Sequence, residues 1–115
     1  MAFTPTELAT IHRALDGFLA IRRPPPDMRH LLDLEARIQG QQVVLLEVRA
    51  AWQKPTEKIE CPIAKASYIR NLDVWKVYWM RADLRWHRYE PDPQAKTIHE
   101  FLAIVQEDGC ACFFG

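Results

Sequence analysis

Between Val74 and Tyr89 the chain reads Val-Trp-Lys-Val-Tyr-Trp-Met-Arg-Ala-Asp-Leu-Arg-Trp-His-Arg-Tyr. Large rings and cations alternate there, and an extended strand is the geometry that sends successive side chains to opposite faces. The segment is therefore two strands joined near Ala82-Asp83, each sorting its side chains between a buried and an open face. Alternation divides the first arm into Trp75, Val77, Trp79 and Arg81 against Val74, Lys76, Tyr78 and Met80. A two-residue turn at Ala82-Asp83 pairs Trp79 with Trp86, and sets Tyr78 beside His87 and Lys76 beside Tyr89. One face is then Trp75, Val77, Trp79, Leu84 and Trp86, a core face in which each buried ring contributes a few kcal/mol. The other carries Lys76, Tyr78, Arg85, His87 and Tyr89. Ala-Asp lacks the Asn-Gly or Asp-Gly signature of two-residue turns, and a loop of odd length flips the second arm.

Punctuation and periodicity place the remaining elements. Thr4, Pro5 and Glu7 form a helix start with a capping box. Leu8, Ile11, Leu15, Phe18 and Leu19 continue it as one apolar stripe over residues 4–22. Arg22 and Arg23 lie in the last turn, where they complement the helix dipole, and Pro24-Pro25-Pro26 stops it. Leu32, Leu34, Ala36 and Ile38 alternate with Asp33, Glu35 and Arg37, Gly40-Gln41 turns the chain, and Val43 to Arg49 returns as a second strand. Ala51 to Pro62 reads as a loop punctuated by Pro55 and Pro62. Ile63 to Ile69 reads as a strand, with a short helix as the alternative. Pro91 and Pro93 close the aromatic hairpin. Thr97 and Glu100 form a second capping box, and Ile98, Phe101, Leu102 and Val105 give the following helix its buried stripe. Glu107-Asp108-Gly109 ends it, and Cys110 to Phe114 is a last short strand. The expected fold is one α+β domain over residues 1–115. It is an antiparallel sheet of four to six strands built from hairpins, with an N-terminal and a C-terminal helix packed on it.

Composition bounds the partners less than charge distribution does. Lys and Arg together number 15, as do Asp and Glu, so net charge selects no class of partner. Locally, Lys65, Arg70, Lys76, Arg81, Arg85 and Arg88 face only Asp73 and Asp83 up to Tyr89, and beyond it acids dominate. No apolar run approaches the roughly 18 residues of a membrane span, and no basic-then-apolar leader opens the chain. Three cysteines are an odd count and fit a reducing, cytoplasmic setting. Cys110 and Cys112 with Cys61 or His87 lack a second paired-ligand motif, so buried thiols rather than a metal site are expected.

The open face of the hairpin is the strongest functional signal. Tyr and His rings among Lys and Arg on a sheet resemble platforms where bases stack and phosphates meet cations. Lys76, Tyr78, Arg85, His87 and Tyr89 are the expected contact residues of a non-catalytic binding module, for single-stranded nucleic acid or an acidic protein partner. The alternative is a metal-dependent nuclease on Asp33 and Glu47, with Arg49 near the position of a catalytic lysine. Arg is too basic to accept a proton, and an even turn at Gly40-Gln41 puts the two carboxylates on opposite faces. Ser67 is the only serine, and no phosphate loop, histidine metal spacing or cofactor motif is present. No catalytic residue, metal or cofactor is assigned.

Several segments together resemble a known family. They are Arg22-Arg23-Pro24-Pro25, Glu47-Val48-Arg49 with Trp52, Ile63-Ala64-Lys65, the run from Trp75 to Pro91, and the ending Phe113-Phe114-Gly115. The chain resembles a bacterial family known as domain of unknown function 3024, and the Trp/Tyr hairpin is the most specific part of the likeness. The resemblance implies a compact stand-alone bacterial protein. It implies no activity, cofactor or catalytic residue.

Overall fold

The structure, a computed structural model, describes residues 2–54, 56–108 and 113. Helix α1 (Pro5–Arg22) starts as its sequence predicts: Thr4 Oγ1 accepts from Glu7 N, and Glu7 Oε1 accepts from Thr4 N at 2.8 Å. Ile11, Ala14, Leu15 and Phe18 are its buried face. After a 3-10 turn at Pro26–Met28 come β1 (Leu32–Gln39), β2 (Gln42–Ala50), β3 (Lys58–Ile69), β4 (Val74–Met80), β5 (Trp86–Arg88), β6 (Gln94–Ala95) and helix α2 (Ile98–Glu107). The strands form one antiparallel sheet in the order β1-β2-β3-β4-β5, with β6 beside β4. Both helices pack against each other and against strands of the sheet. The predicted α+β architecture is the one observed.

Register shows how the core is chosen. Gln39 pairs with Gln42, so Gly40-Gln41 is a two-residue turn, and Gly40 takes the left-handed φ of 59° that such a turn needs. Leu34, Ala36 and Ile38 then share a face with Val43 and Leu45, Ala64 and Ala66, Trp75 and Val77, and Ala95. That face meets Phe3, Leu15, Phe18, Phe101, Leu102 and Val105 from the helical side in a single core.

Three expectations need correction. Strand β3 begins at Lys58, inside the predicted loop, and Pro62 sits within it. Proline is tolerated there because the register shifts between Leu45 and Leu46, leaving Ile63 as an extra residue, and because β4 pairs only from Ala64 onward. Pro62 thus needs no donor toward β4, and the bulge lets Ile63 join the core. Arg23 does more than complement a dipole: its guanidinium grips Asp33 with two bonds of 2.7 Å, fixing the end of α1 to β1. The capping box of α2 is half formed, since Thr97 Oγ1 accepts from Glu100 N while Glu100 reaches Lys96 N. The expected strand Cys110–Phe114 lies outside the described residues apart from Phe113, which is buried against Tyr89. Pro55, Cys110 and Cys112 also lie outside them.

Candidate functional site

The loop between β4 and β5 decides what the aromatic hairpin presents. Met80 pairs with Trp86, Trp79 with His87 and Tyr78 with Arg88, so residues 81–85 form a loop of odd length and not a two-residue turn. Asp83 stabilises it, with Oδ1 accepting from Arg85 N at 3.0 Å and Oδ2 2.9 Å from His87 Nε2. The His87 bond holds the Asp83 carboxyl below the usual aspartate range. The odd count flips the second arm. Trp86, expected beside Trp79 in the core, lies on the face opposite Trp75 and Val77. His87 and Tyr89, expected on the open face, move to the core side. Tyr89 is only 2% exposed, its ring 4.8 Å from that of Phe113. Leu84, expected in the core, is exposed at the loop tip.

Of the five expected contact residues, the structure keeps Lys76 and Tyr78 together on the helix-free face and leaves Arg85 exposed in the adjoining loop. His87 and Tyr89 do not join them. In their place stand Trp86, Arg88 and Lys65. Register lays these side chains out in rows. Gln42, Ser67, Lys76 and Gln94 form one, all able to hydrogen-bond. Val44, Lys65, Tyr78 and Arg88 form the next, and Met80 with Trp86 follows.

Lys65 joins the rows electrostatically. Its Nζ lies 5.0 Å from the centre of the Tyr78 ring and 4.9 Å from that of Trp86. Burial in this setting lowers the Lys65 pKa from its ordinary value. Among the described residues, Lys76, Arg81, Arg85 and Arg88 make no ion pair. The other end of the same face is neutralised internally. Arg37 on β1 bonds Glu60 on β3, and by register the pair crosses β2 above Leu46. That crossing accounts for the burial of Leu46 to 2% exposure where no helix covers the sheet. The β5 end of this face thus carries Lys65, Lys76 and Arg88 beside Tyr78 and Trp86, with no ion-pair partner among the described residues.

The alternative site does not assemble. Asp33 lies on the helix-free face and is held by Arg23, which keeps its carboxyl below the usual range. Glu47 pairs with Leu34 on the opposite face, and its Oε1 accepts from Arg49 at 2.9 Å. Among the described residues, no three His, Cys, Asp or Glu side chains gather closely enough to hold a metal ion.

An even turn at Ala82-Asp83 sends Trp86 and Arg88 to the core face, so alternation alone does not find them; Lys65 lies outside the hairpin, in a segment whose sequence fits a strand or a short helix. The weakness of Ala-Asp as a turn pair was the available signal, and Asp83 is suited to a longer loop because its side chain can satisfy nearby donors. Together these features define an α+β protein whose single antiparallel sheet is helix-covered on one face and aromatic and basic on part of the other. Residues 3–115 match the family described as Domain of unknown function (DUF3024), and the chain belongs to it. No curated protein and no solved structure matches the chain. No helix among the described residues is long and apolar enough to cross a membrane.

Proposed function

We propose that this protein is a non-catalytic module that binds single-stranded nucleic acid on the helix-free face of β3, β4 and β5. The observation that carries this reading is the cluster of Tyr78 and Trp86 around Lys65, edged by Lys76, Arg85 and Arg88. Every base has a ring face to stack, so two half-buried rings suit a ligand of mixed sequence. The cations stand where phosphates would run, and the row of Gln42, Ser67, Lys76 and Gln94 can meet base edges or sugars. A reducing cytoplasmic compartment, expected from the odd thiol count, would bring the protein and such strands together.

Fluorescence anisotropy with a labelled mixed-sequence oligonucleotide tests this. Affinity falls with salt, the slope reflecting about 0.7 per phosphate contacted by a cation. Trp86→Ala and Tyr78→Ala each weaken binding by roughly 1–3 kcal/mol, the worth of one stacked base. Lys76→Glu weakens it and flattens the salt slope. Absence of salt-sensitive binding, or full affinity in both aromatic variants, contradicts the reading. Co-purification of an acidic protein partner in place of oligonucleotide binding would assign the same surface to a protein contact.

A further inference from the structure

The tip of the β4–β5 hairpin concentrates two unfavourable features in one residue. Leu84 has a φ of 61°, in the left-handed region that a bulky residue rarely enters. The residue is also 81% exposed. Glycine at this position would remove both costs. Strain of this kind persists only where surrounding structure enforces it, and it clusters at sites that act on something else.

The loop enforces it from both sides. Leu84 N donates to Arg81 O at 2.9 Å, and Arg81 N donates to Arg85 O at 3.2 Å. Asp83 holds both Arg85 N and His87 Nε2. Leu84 is thus the projecting apolar point of a braced loop. Arg81 and Arg85 flank it, the Arg81 guanidinium lying 5.4 Å from the centre of the Trp79 ring. Trp86, the first residue of β5, follows directly after Arg85.

We propose that Leu84 is a wedge for the junction between paired and unpaired nucleic acid. Apolar side chains inserted between base steps partly unstack them, and flanking cations hold the backbones. Here Leu84 rests on the last base pair, Arg81 and Arg85 meet the two diverging phosphate chains, and the released strand runs onto Trp86 and Tyr78. The two arginines of the tip match this occupant, and its one carboxylate, Asp83, is engaged by Arg85 N and His87 Nε2. The proposal rests on the single-strand platform and adds the form of nucleic acid preferred.

The test uses three labelled ligands of shared sequence: a single strand, a blunt duplex, and a duplex ending in a single-stranded tail. The wild type binds the tailed duplex more tightly than the single strand by on the order of ten-fold, the size of one stacking contact. Leu84→Gly reduces that ratio to near one while its melting temperature stays level or rises. With 2-aminopurine in the terminal base pair, the wild type brightens the probe by unstacking it and Leu84→Gly does not. An equal affinity of the wild type for tailed duplex and single strand overturns the wedge, as does an unchanged ratio in Leu84→Gly. If Trp86→Ala and Tyr78→Ala weaken single-strand binding while Leu84→Gly leaves the ratio intact, only the wedge fails. If neither aromatic variant matters, the platform fails and the wedge with it.

Discussion

Glu7 illustrates how one residue joins local and long-range structure. It closes the capping box of α1, and its carboxylate also takes two 3.0 Å bonds from Arg70, near the β3–β4 turn. The Arg70 bonds, with the Thr4 backbone bond second, lower its pKa from 4.5 to about 2. A carboxyl whose folded pKa is depressed contributes stability that is present above its unfolded pKa and lost as pH falls toward its folded one. For Glu7 that window runs from about 4.5 down to about 2. Glu7→Gln is therefore predicted to be less stable than the wild type at neutral pH and to lose less on acidification across this window. Thermal melts at stepped pH check it, and parallel acid profiles for the two proteins would contradict it. Arg70 counts in the sequence among the cations between Lys65 and Tyr89, but it is a structural tie and contributes little to an anionic partner.

Within the β4–β5 hairpin, burial and exposure divide two tryptophans that looked equivalent. Trp75 packs against Phe3 at 5.5 Å and Tyr68 at 5.0 Å between ring centres, inside the core. Trp86 is half-buried on the other face, beside Lys65. Trp75→Ala is predicted to cost about 3–5 kcal/mol, as core ring truncations do. Trp86→Ala should cost about 1–2 kcal/mol, for a partly buried ring and one cation–π contact. Urea unfolding of both variants tests the order, and a larger loss for Trp86 would return it to the core. Both helices, the β1–β2 hairpin and the first arm of the aromatic hairpin were legible because each carries its own period and its own start or stop residue. The second arm was not, because its facing depends on the parity of one loop, which side-chain periodicity does not encode. The length of β3 was hidden for a related reason. A proline reads as a stop until a neighbouring bulge and an unpaired edge are known to accommodate it.

For the molecule as a whole, zero formal charge conceals a division of labour between ion pairs and unmatched cations. Arg23 with Asp33, Arg37 with Glu60, Arg49 with Glu47 and Arg70 with Glu7 all cancel locally. Pairs of this sort fix geometry more than they add stability when exposed. Of the cations without an ion pair among the described residues, Lys65, Lys76 and Arg88 lie around Tyr78 and Trp86 and Arg81 and Arg85 in the loop beyond, while Arg13, Arg29, Lys58 and Lys96 lie elsewhere. The sheet thereby acquires a direction: helices and core on one face, neutral pairs at the β1 end of the other, and rings with unmatched cations at the β5 end. Nitrogen-15 NMR of the intact chain during titration with a mixed-sequence single-stranded oligonucleotide tests that central claim most directly. The account predicts saturable, salt-sensitive shifts concentrated at Lys65, Lys76, Tyr78, Trp86 and Arg88, with α1 and the exposed face of α2 unmoved. Shifts centred on the helices, or none at any ligand concentration, would contradict it.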